Sequence, residues 1–483
     1  MRPLVWFRTD LRVEDNTALH RARKACTRGL VGVFVVSPGQ WAEHDWGTCK
    51  VDFVMRCVAD LSDRLERLKI PLRILTADRF SDAPAALLGL AEELTCDALY
   101  FNREYEVNES RRDDAVRDLF EKNGREAHSF TDQTLLEPGS VRTNDGRPYG
   151  VFSPFRKKFT EVWVDRGGSP VLPTPKALEE MVCKPDDVPA PDSIDGFDDP
   201  DGLRRPDLWR AGQQEAKRRL SRFCADRIGD YTDDRDTPSI DGTSQVSPYL
   251  AAGVLSPRLC VAAALEASGS ALEPAWPNKV GAMGWSSEVI WREFYKHLIW
   301  AHPRLFMHEP YQKETSKLEW DDDDEKFDAW REGRTGFPIV DAAMRQLAET
   351  GWMHNRLRMI SAMFLTIDLW LDWRKGERHF MRTLVDGDLA SNNGGWQWSA
   401  STGTDAQPYF RVFNPTSQSQ KFDADGEFIQ RFVPELKVVE GKAIHEPRAK
   451  AGLFEDLDYP APIVDHKEAR VRAIEAFKEL KKS

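Results

Sequence analysis

Residues 386–415 read DGDLASNNGGWQWSASTGTDAQPYFRVFNP, a stretch rich in side chains that can do chemistry. Asp386 and Asp388 flank Gly387, Asn392 and Asn393 follow, and Gly394-Gly395 reads as a turn before the indoles of Trp396 and Trp398. Ser399, Ser401, Thr402 and Thr404 come next, then an aromatic-basic run of Tyr409, Phe410, Arg411 and Phe413. Carboxylates, amides and indoles in one stretch can wall a pocket for a flat ring that hydrogen-bonds at its edges. The competing reading is a Gly-Asn turn between two helices, with the tryptophans in the core. Residue by residue the turn is favoured; the whole constellation favours the pocket.

Two further segments share this character. A helix expected over 287–301 carries Glu288, Trp291, Arg292 and Tyr295 at offsets of three, four and seven, which puts them on one face. An acid beside an indole and a guanidinium suits a cavity wall better than a core. WMHNRLRM, residues 352–359, sets Asn355 and Met359 one turn apart, while His354 alone reads as a structural hydrogen-bonder. Tyr231 and the loop GTSQVSP, residues 242–248, precede another helix. Hydroxyls and free N–H groups there can cradle a phosphate, or simply cap the helix with Pro248 at its first position. There is no Walker lysine, so nucleotide hydrolysis is not implied.

The elements that must position these groups fall into two regimes. Apolar runs at 4–7, 30–36, 72–75, 98–101 and 127–130 read as strands buried on both faces, with amphipathic stretches between them. That alternation predicts a parallel α/β sheet. WFRTDLR follows the first strand in place of a GxGxxG fingerprint, which weighs against a nicotinamide enzyme. His44, Asn108 and Glu109 fall after strands, where open sheets bind ligands. Residues 133–210 lose the pattern in Pro-rich acidic sequence and read as a linker, with Phe155-Arg156-Lys157-Lys158 as a helix end. From 211 to 483 the reading is helical. It includes one long helix over 354–373 with Leu357, Ile360, Phe364, Ile367 and Leu371 on a core stripe, and a last helix over 466–482. The division is therefore 1–132, 133–210 and 211–483.

Composition describes an ordinary globular protein of 483 residues, 41% hydrophobic and 30% charged, though with 16 tryptophans against 9 tyrosines. Charges interrupt both the N-terminal apolar run and the apolar segment 357–373, so neither a signal peptide nor a membrane span is expected. Seven cysteines without a CxxC or Cys/His spacing suit reduced thiols in a cytosol and no metal site. The acid run 321–325 reads as a solvated helix start. A net charge of −12 weighs mildly against nucleic acid, although the local field at one face decides that question.

Four blocks carry a resemblance: GTSQVSPYLAAGVLSPR, EVIWREFYKHLIWAHP, GFPIVDAAMRQLAETGWMHNRLRM and the 386–415 stretch. With the WFRTDLR opening, they closely resemble the flavin-dependent photolyase/cryptochrome family, most of all its class I cyclobutane pyrimidine dimer (CPD) photolyases. The resemblance covers essentially the whole chain. It implies an N-terminal Rossmann-like sheet domain and a C-terminal helical domain holding folded FAD, with UV-damaged DNA as partner. It also implies a monomeric cytoplasmic carbon–carbon lyase with no membrane or protein partner evident. Tyr231, Thr243, Ser244, Gln245, Val246 and Ser247 match positions around the FAD phosphates and ribityl chain. Trp285, Glu288, Arg292, Asn355, Arg358, Asp386, Gly387, Asp388 and Asn392 match the remaining FAD contacts, with Arg358 a charge partner for Asp386. Asn392 offers a neutral amide near the flavin N5, where plant cryptochromes carry an acid.

The implied reaction passes one electron from light-excited reduced FAD to a thymine dimer extruded from the stack, DNA photolyases being a known instance of such extrusion. Trp291 and Trp398 match walls for the dimer, Glu288 and Asn355 its hydrogen bonds, and Met359 its packing. Arg235, Arg292, Tyr295, Arg356, Arg411 and Gln418 match DNA-side positions. Trp320, Trp373 and Trp396 match a three-tryptophan chain from surface to flavin. A signalling cryptochrome is the alternative, and it would replace Asn392, Glu288 or Trp291 or add a long tail. A (6-4) photolyase would place histidines at 355 and 359. His44, Asn108 and Glu109 match contacts to an antenna pterin, methenyltetrahydrofolate. Phe306 and Met307, however, replace the Cys-Lys pair of some folate users, which leaves the antenna open.

Overall fold

The computed structural model describes residues 1–480 except 169, 201, 270–279, 407 and 449–456. Five parallel strands form one sheet in the order β3-β2-β1-β4-β5: β1 (Pro3–Phe7), β2 (Val31–Val36), β3 (Leu72–Thr76), β4 (Ala98–Asn102) and β5 (Glu126–Phe130). Each lies within a residue of its expected bounds. The three central strands are buried along their whole length, which is why they read as unbroken apolar runs, whereas the edge strands β3 and β5 are partly open. Between the strands run α1 (Thr17–Ala25), α2 (Thr48–Arg67), α3 (Ala83–Glu93) and α4 (Val107–Lys122).

The described chain divides into two compact units that are not continuous in sequence. The first comprises Met1–Gly229, Ser244–Pro303 and Val385–Gly387, and so joins the sheet to several helices. These are α5 (Phe152–Asp165), α6 (Gln213–Asp226), α7 (Pro257–Ala267) and α8 (Val280–Ala301). The segment expected to supply only a helix end at 155–158 forms the 14-residue α5, because Phe152, Phe155, Phe159 and Trp163 bury one helical stripe.

The second unit comprises Asp230–Thr243, Arg304–Leu384 and Asp388–Ser483. Its main helices are α9 (Pro338–Thr350), α10 (Asn355–Met363), α11 (Trp373–Thr383), α12 (Leu389–Ser399), α13 (Pro415–Phe422) and α14 (His466–Leu480). The last two residues expected in α14, 481 and 482, lie outside the described residues. The long helix expected over 354–373 is broken. After α10 the chain takes a π-turn, Phe364–Asp368, and Trp370 adopts a left-handed backbone (φ 59°). Asp372 then caps a new helix whose first residue is Trp373. The apolar stripe is real, with all five of its residues buried, but Trp370 ends the rod beneath it. Asn392-Asn393-Gly394-Gly395 is no turn either: it lies inside α12, started by Asp388, whose carboxylate accepts from Ser391 N (2.9 Å). The short helix Asp324–Arg331 likewise starts on a cap, Asp323 accepting from Lys326 N, as the acid run suggested.

Candidate functional site

In the first unit, α8 presents the expected face. From Trp285 to Ile299 every residue is buried except Glu288, Trp291, Arg292 and Tyr295, which are half-buried. Trp291 is stacked on Phe152 with ring centroids 3.6 Å apart and planes at 9°, and Tyr295 leans on Trp291 at 5.6 Å. Trp291 is thus a rigid platform backed by a second ring. Arg292 spends one N–H on Gln133 O (2.5 Å), which holds its guanidinium in place. One turn before Glu288, the Trp285 indole N–H donates to Ser244 Oγ (3.2 Å), joining α8 to the hydroxyl loop. In that loop Gln245 is left-handed (φ 50°), and the helix behind it, Ser247–Ala251, has no side-chain cap. The plain-cap reading of this loop therefore fails.

Asp386 is buried, and the carbonyl beside it is pinned by Lys50, whose Nζ donates to Gly387 O (2.7 Å) and lies 3.7 Å from the centre of the Trp46 ring. Nothing in the sequence near residue 50 signals this role.

His44, Asn108 and Glu109 come together in the first unit. His44 Nδ1 lies 3.4 Å from Glu109 Oε1, and its Nε2 lies 3.0 Å from Asn108 Nδ2 and 3.1 Å from Gln40 Nε2. Burial, with Glu106 and Glu104 nearby, pushes the Glu109 carboxyl up to about 8, so it is largely protonated at neutral pH. Lys296 pairs with Glu106 at 2.6 Å. Gln40, Glu106 and Lys296 are members of this cluster that sequence reasoning missed, since each is unremarkable alone.

In the second unit, Asn392 is held by its amide nitrogen, which donates to Glu377 O (2.9 Å) and leaves the amide oxygen as an acceptor. The Glu377 carboxylate, itself 1% exposed, takes Asn393 Nδ2 (2.9 Å) and His308 Nδ1 (2.8 Å) and so locks α12 against α11. Glu377 went unnoticed in the sequence because a main-chain carbonyl leaves no mark there. Asp388 serves the same geometry as the helix cap. Arg358 Nε donates to Met353 O (2.8 Å).

Asn355, Arg356 and Met359 cluster on α10: Asn355 Nδ2 and Arg356 Nη1 lie 3.9 and 3.8 Å from the Met359 sulfur. Arg356 also pairs with Asp236 at 2.8 Å. Burial holds the His354 imidazole down at about 4, hence neutral, and its Nδ1 accepts from Arg356 N to cap α10. Arg235 lies over the buried Tyr231 ring at 5.3 Å. Thr243, Trp398 and Gln418 are half-buried, Arg411 is exposed, and Trp398 leans on Phe413 at 6.4 Å.

Trp396 and Trp373 are buried in one core, and Trp320 packs against it from a half-buried position. Trp373 lies under the Arg374 guanidinium at 4.7 Å. Gly376 makes room for Trp396, because a Cβ there would sit 2.1 Å from the indole Cη2. The Trp396 N–H is buried with no hydrogen-bond partner among the described residues. An amide acceptor at Asn392 and an unspent indole donor at Trp396 fit a flat ring that hydrogen-bonds at its edges. No group of His, Cys, Asp and Glu able to hold a metal occurs among the described residues, nor does a helix long and apolar enough to cross a membrane.

A family model described as DNA photolyase matches residues 3–176, and one described as the FAD binding domain of DNA photolyase matches residues 285–479. The deoxyribodipyrimidine photo-lyase of Vibrio cholerae is 44% identical, with 99% of both chains covered. That of Escherichia coli is 42% identical with the same coverage. Among solved structures, a bacterial class III photolyase from Agrobacterium tumefaciens superposes with a TM-score of 0.88 at 35% identity, covering 100% of this chain and 98% of that one. Full-length identity of this order, both domain matches and the shared fold lead to one conclusion: the chain belongs to the DNA photolyase family.

Proposed function

We propose that this chain repairs DNA with light, binding duplex that carries a cyclobutane pyrimidine dimer, extruding the dimer and returning two intact pyrimidines. Reduced FAD, when bound and excited by blue or near-UV light, supplies the electron that opens the cyclobutane ring. The observation that carries the reading is Asn392. Its amide is neutral and is fixed by Glu377 with the oxygen presented, so it can accept a ring N–H without setting a negative charge beside an electron-rich ring. A signalling receptor of the cryptochrome kind would not need that neutrality.

The other residues divide the work. In the first unit Ser244, Gln245, Val246, Ser247, Trp285, Arg292, Asp386 and Gly387 would hold the cofactor; in the second, Tyr231, Thr243, Asn355, Arg358, Asp388 and Asn392 would do so. Glu288 and Asn355 would hydrogen-bond the extruded bases, Trp291 and Trp398 would stack on them, and Met359 would pack against them. The Phe152 backing keeps Trp291 from yielding when a base stacks on it. Arg235, Arg356, Arg411 and Gln418 would meet the DNA backbone, so that a basic face works within an acidic protein. Trp320, Trp373 and Trp396 would carry electrons inward to renew the reduced cofactor. Functionally the chain divides into 1–132, 133–210 and 211–483. His44, Asn108 and Glu109 would take the pterin of methenyltetrahydrofolate, the protonated Glu109 donating to it.

The test is Asn392→Asp. The variant should keep FAD and its affinity for dimer-containing DNA while losing light-driven repair. Repair at the parent rate would remove the amide argument.

A further inference from the structure

The aromatic path in the second unit does not stop at Trp320. The Trp320 ring lies 4.8 Å from the ring of Trp370, Trp370 meets Phe477 of α14 edge-on at 6.1 Å, and Phe477 is stacked on Tyr409 at 5.5 Å and 22°. Trp370 and Phe477 are buried in one cluster, whereas Tyr409 packs against that cluster from a half-buried position. Trp370 also has a left-handed backbone (φ 59°), a conformation costly for a bulky side chain. Its indole N–H is tied to Glu319 O (2.8 Å).

We propose that Tyr409 is the terminal electron donor of this protein, reached from Trp320 through Trp370. The inference rests on the tryptophan-chain reading and extends it to a residue of another chemical type. Trp370 is a poor place for an electron deficit to stay. Its N–H faces a carbonyl, which cannot take up the proton that an oxidised indole must lose to become neutral. The Arg472 guanidinium lies 5.8 Å from its ring and repels a positive charge there. Tyr409 differs because a phenol loses its proton as it is oxidised, and a neutral tyrosyl radical does not readily take the electron back.

The step balances. Trp370 gives one electron to oxidised Trp320 and restores it, then Tyr409 gives one electron to Trp370 and restores that. The phenolic O–H bond breaks, its proton passes to water, and a neutral radical remains on Tyr409. A small thiol in solution returns a hydrogen atom to the phenoxyl oxygen and is itself oxidised towards a disulfide.

The experiment is flash excitation of the FAD-loaded protein without thiol, followed by transient absorption and by electron paramagnetic resonance on freeze-trapped samples. The parent should show the narrow phenoxyl absorption and resonance. Tyr409→Phe should lose both and shorten the lifetime of charge separation severalfold, with FAD content and melting temperature unchanged. Trp370→Phe should give the same loss. An unchanged lifetime in Tyr409→Phe, or an indolyl signature alone in the parent, overturns the proposal. Trp396→Phe separates this failure from that of the underlying reading. Normal flavin bleaching in that variant means that no electron passes along the tryptophans at all, whereas blocked bleaching with an indolyl-only parent condemns Tyr409 alone.

Discussion

Gly376→Ala sets two effects of opposite sign against each other. Alanine in the interior of a helix is worth about 0.5–1 kcal/mol over glycine, so α11 alone should gain stability. The added Cβ, however, would sit 2.1 Å from Trp396 Cη2, 2.5 Å from Cζ3 and 2.6 Å from Leu365 Cδ2. Trp396 is 2% exposed and hemmed in by Phe380 at 4.9 Å and Trp330 at 6.0 Å, so its rigid ring has nowhere to retreat. Overpacking of this kind costs about 1–3 kcal/mol. The net expectation is a loss of about 1–2 kcal/mol, with the indole displaced. Thermal unfolding of FAD-loaded protein reads the first effect, and bleaching of oxidised flavin under blue light with thiol reads the second. The double variant Gly376→Ala/Trp396→Phe removes the clashing ring edge and should recover roughly 1 kcal/mol or more of coupling. A stabilised Gly376→Ala protein with normal bleaching would refute the packing argument and the placement of Trp396 on the electron path together.

Other expectations follow from single residues. Glu293 is fully buried and its carboxyl is pushed up to about 7 from 4.5 by desolvation, so its contribution to stability is full below pH 4.5 and is lost as pH rises through 7. Glu293→Gln keeps an acceptor for Leu135 N, so denaturant titrations should show it gaining on the parent between pH 5 and 8, by at most about 3 kcal/mol. Trp291→Ala should weaken binding to dimer-containing duplex by about 1–3 kcal/mol and to undamaged duplex by less; equal losses would make it mere packing. Arg411→Ala should lower the slope of log affinity against log salt by about one, and an unchanged slope would remove Arg411 from the phosphate contacts.

Much of this was legible in the chain because the signals were local. The strands announced themselves as apolar runs, and Glu288, Trp291, Arg292 and Tyr295 announced one face through their offsets, which α8 reproduces as its half-open stripe. What escaped was long-range or a contest between local rules. Asn-Asn-Gly-Gly reads as a turn, but the Asp388 cap and the burial of Asn393 and Trp396 hold it helical. The 354–373 periodicity is genuine, yet the π-turn and Trp370 break the helix without disturbing which residues are buried. The partners that orient the site are main-chain or distant: Glu377 O for Asn392, Lys50 for the Gly387 carbonyl and Asp236 for Arg356. No spacing rule could have joined them.

The central claim is light-driven reversal of cyclobutane dimers, and the most direct measurement is the recovery of intact thymines from an oligonucleotide carrying one such dimer. Protein with chemically reduced FAD should restore the thymines under blue or near-UV light and restore none in the dark. It should also leave a (6-4) photoproduct untouched. Dimers that persist under light, or (6-4) lesions repaired in their place, would contradict the account.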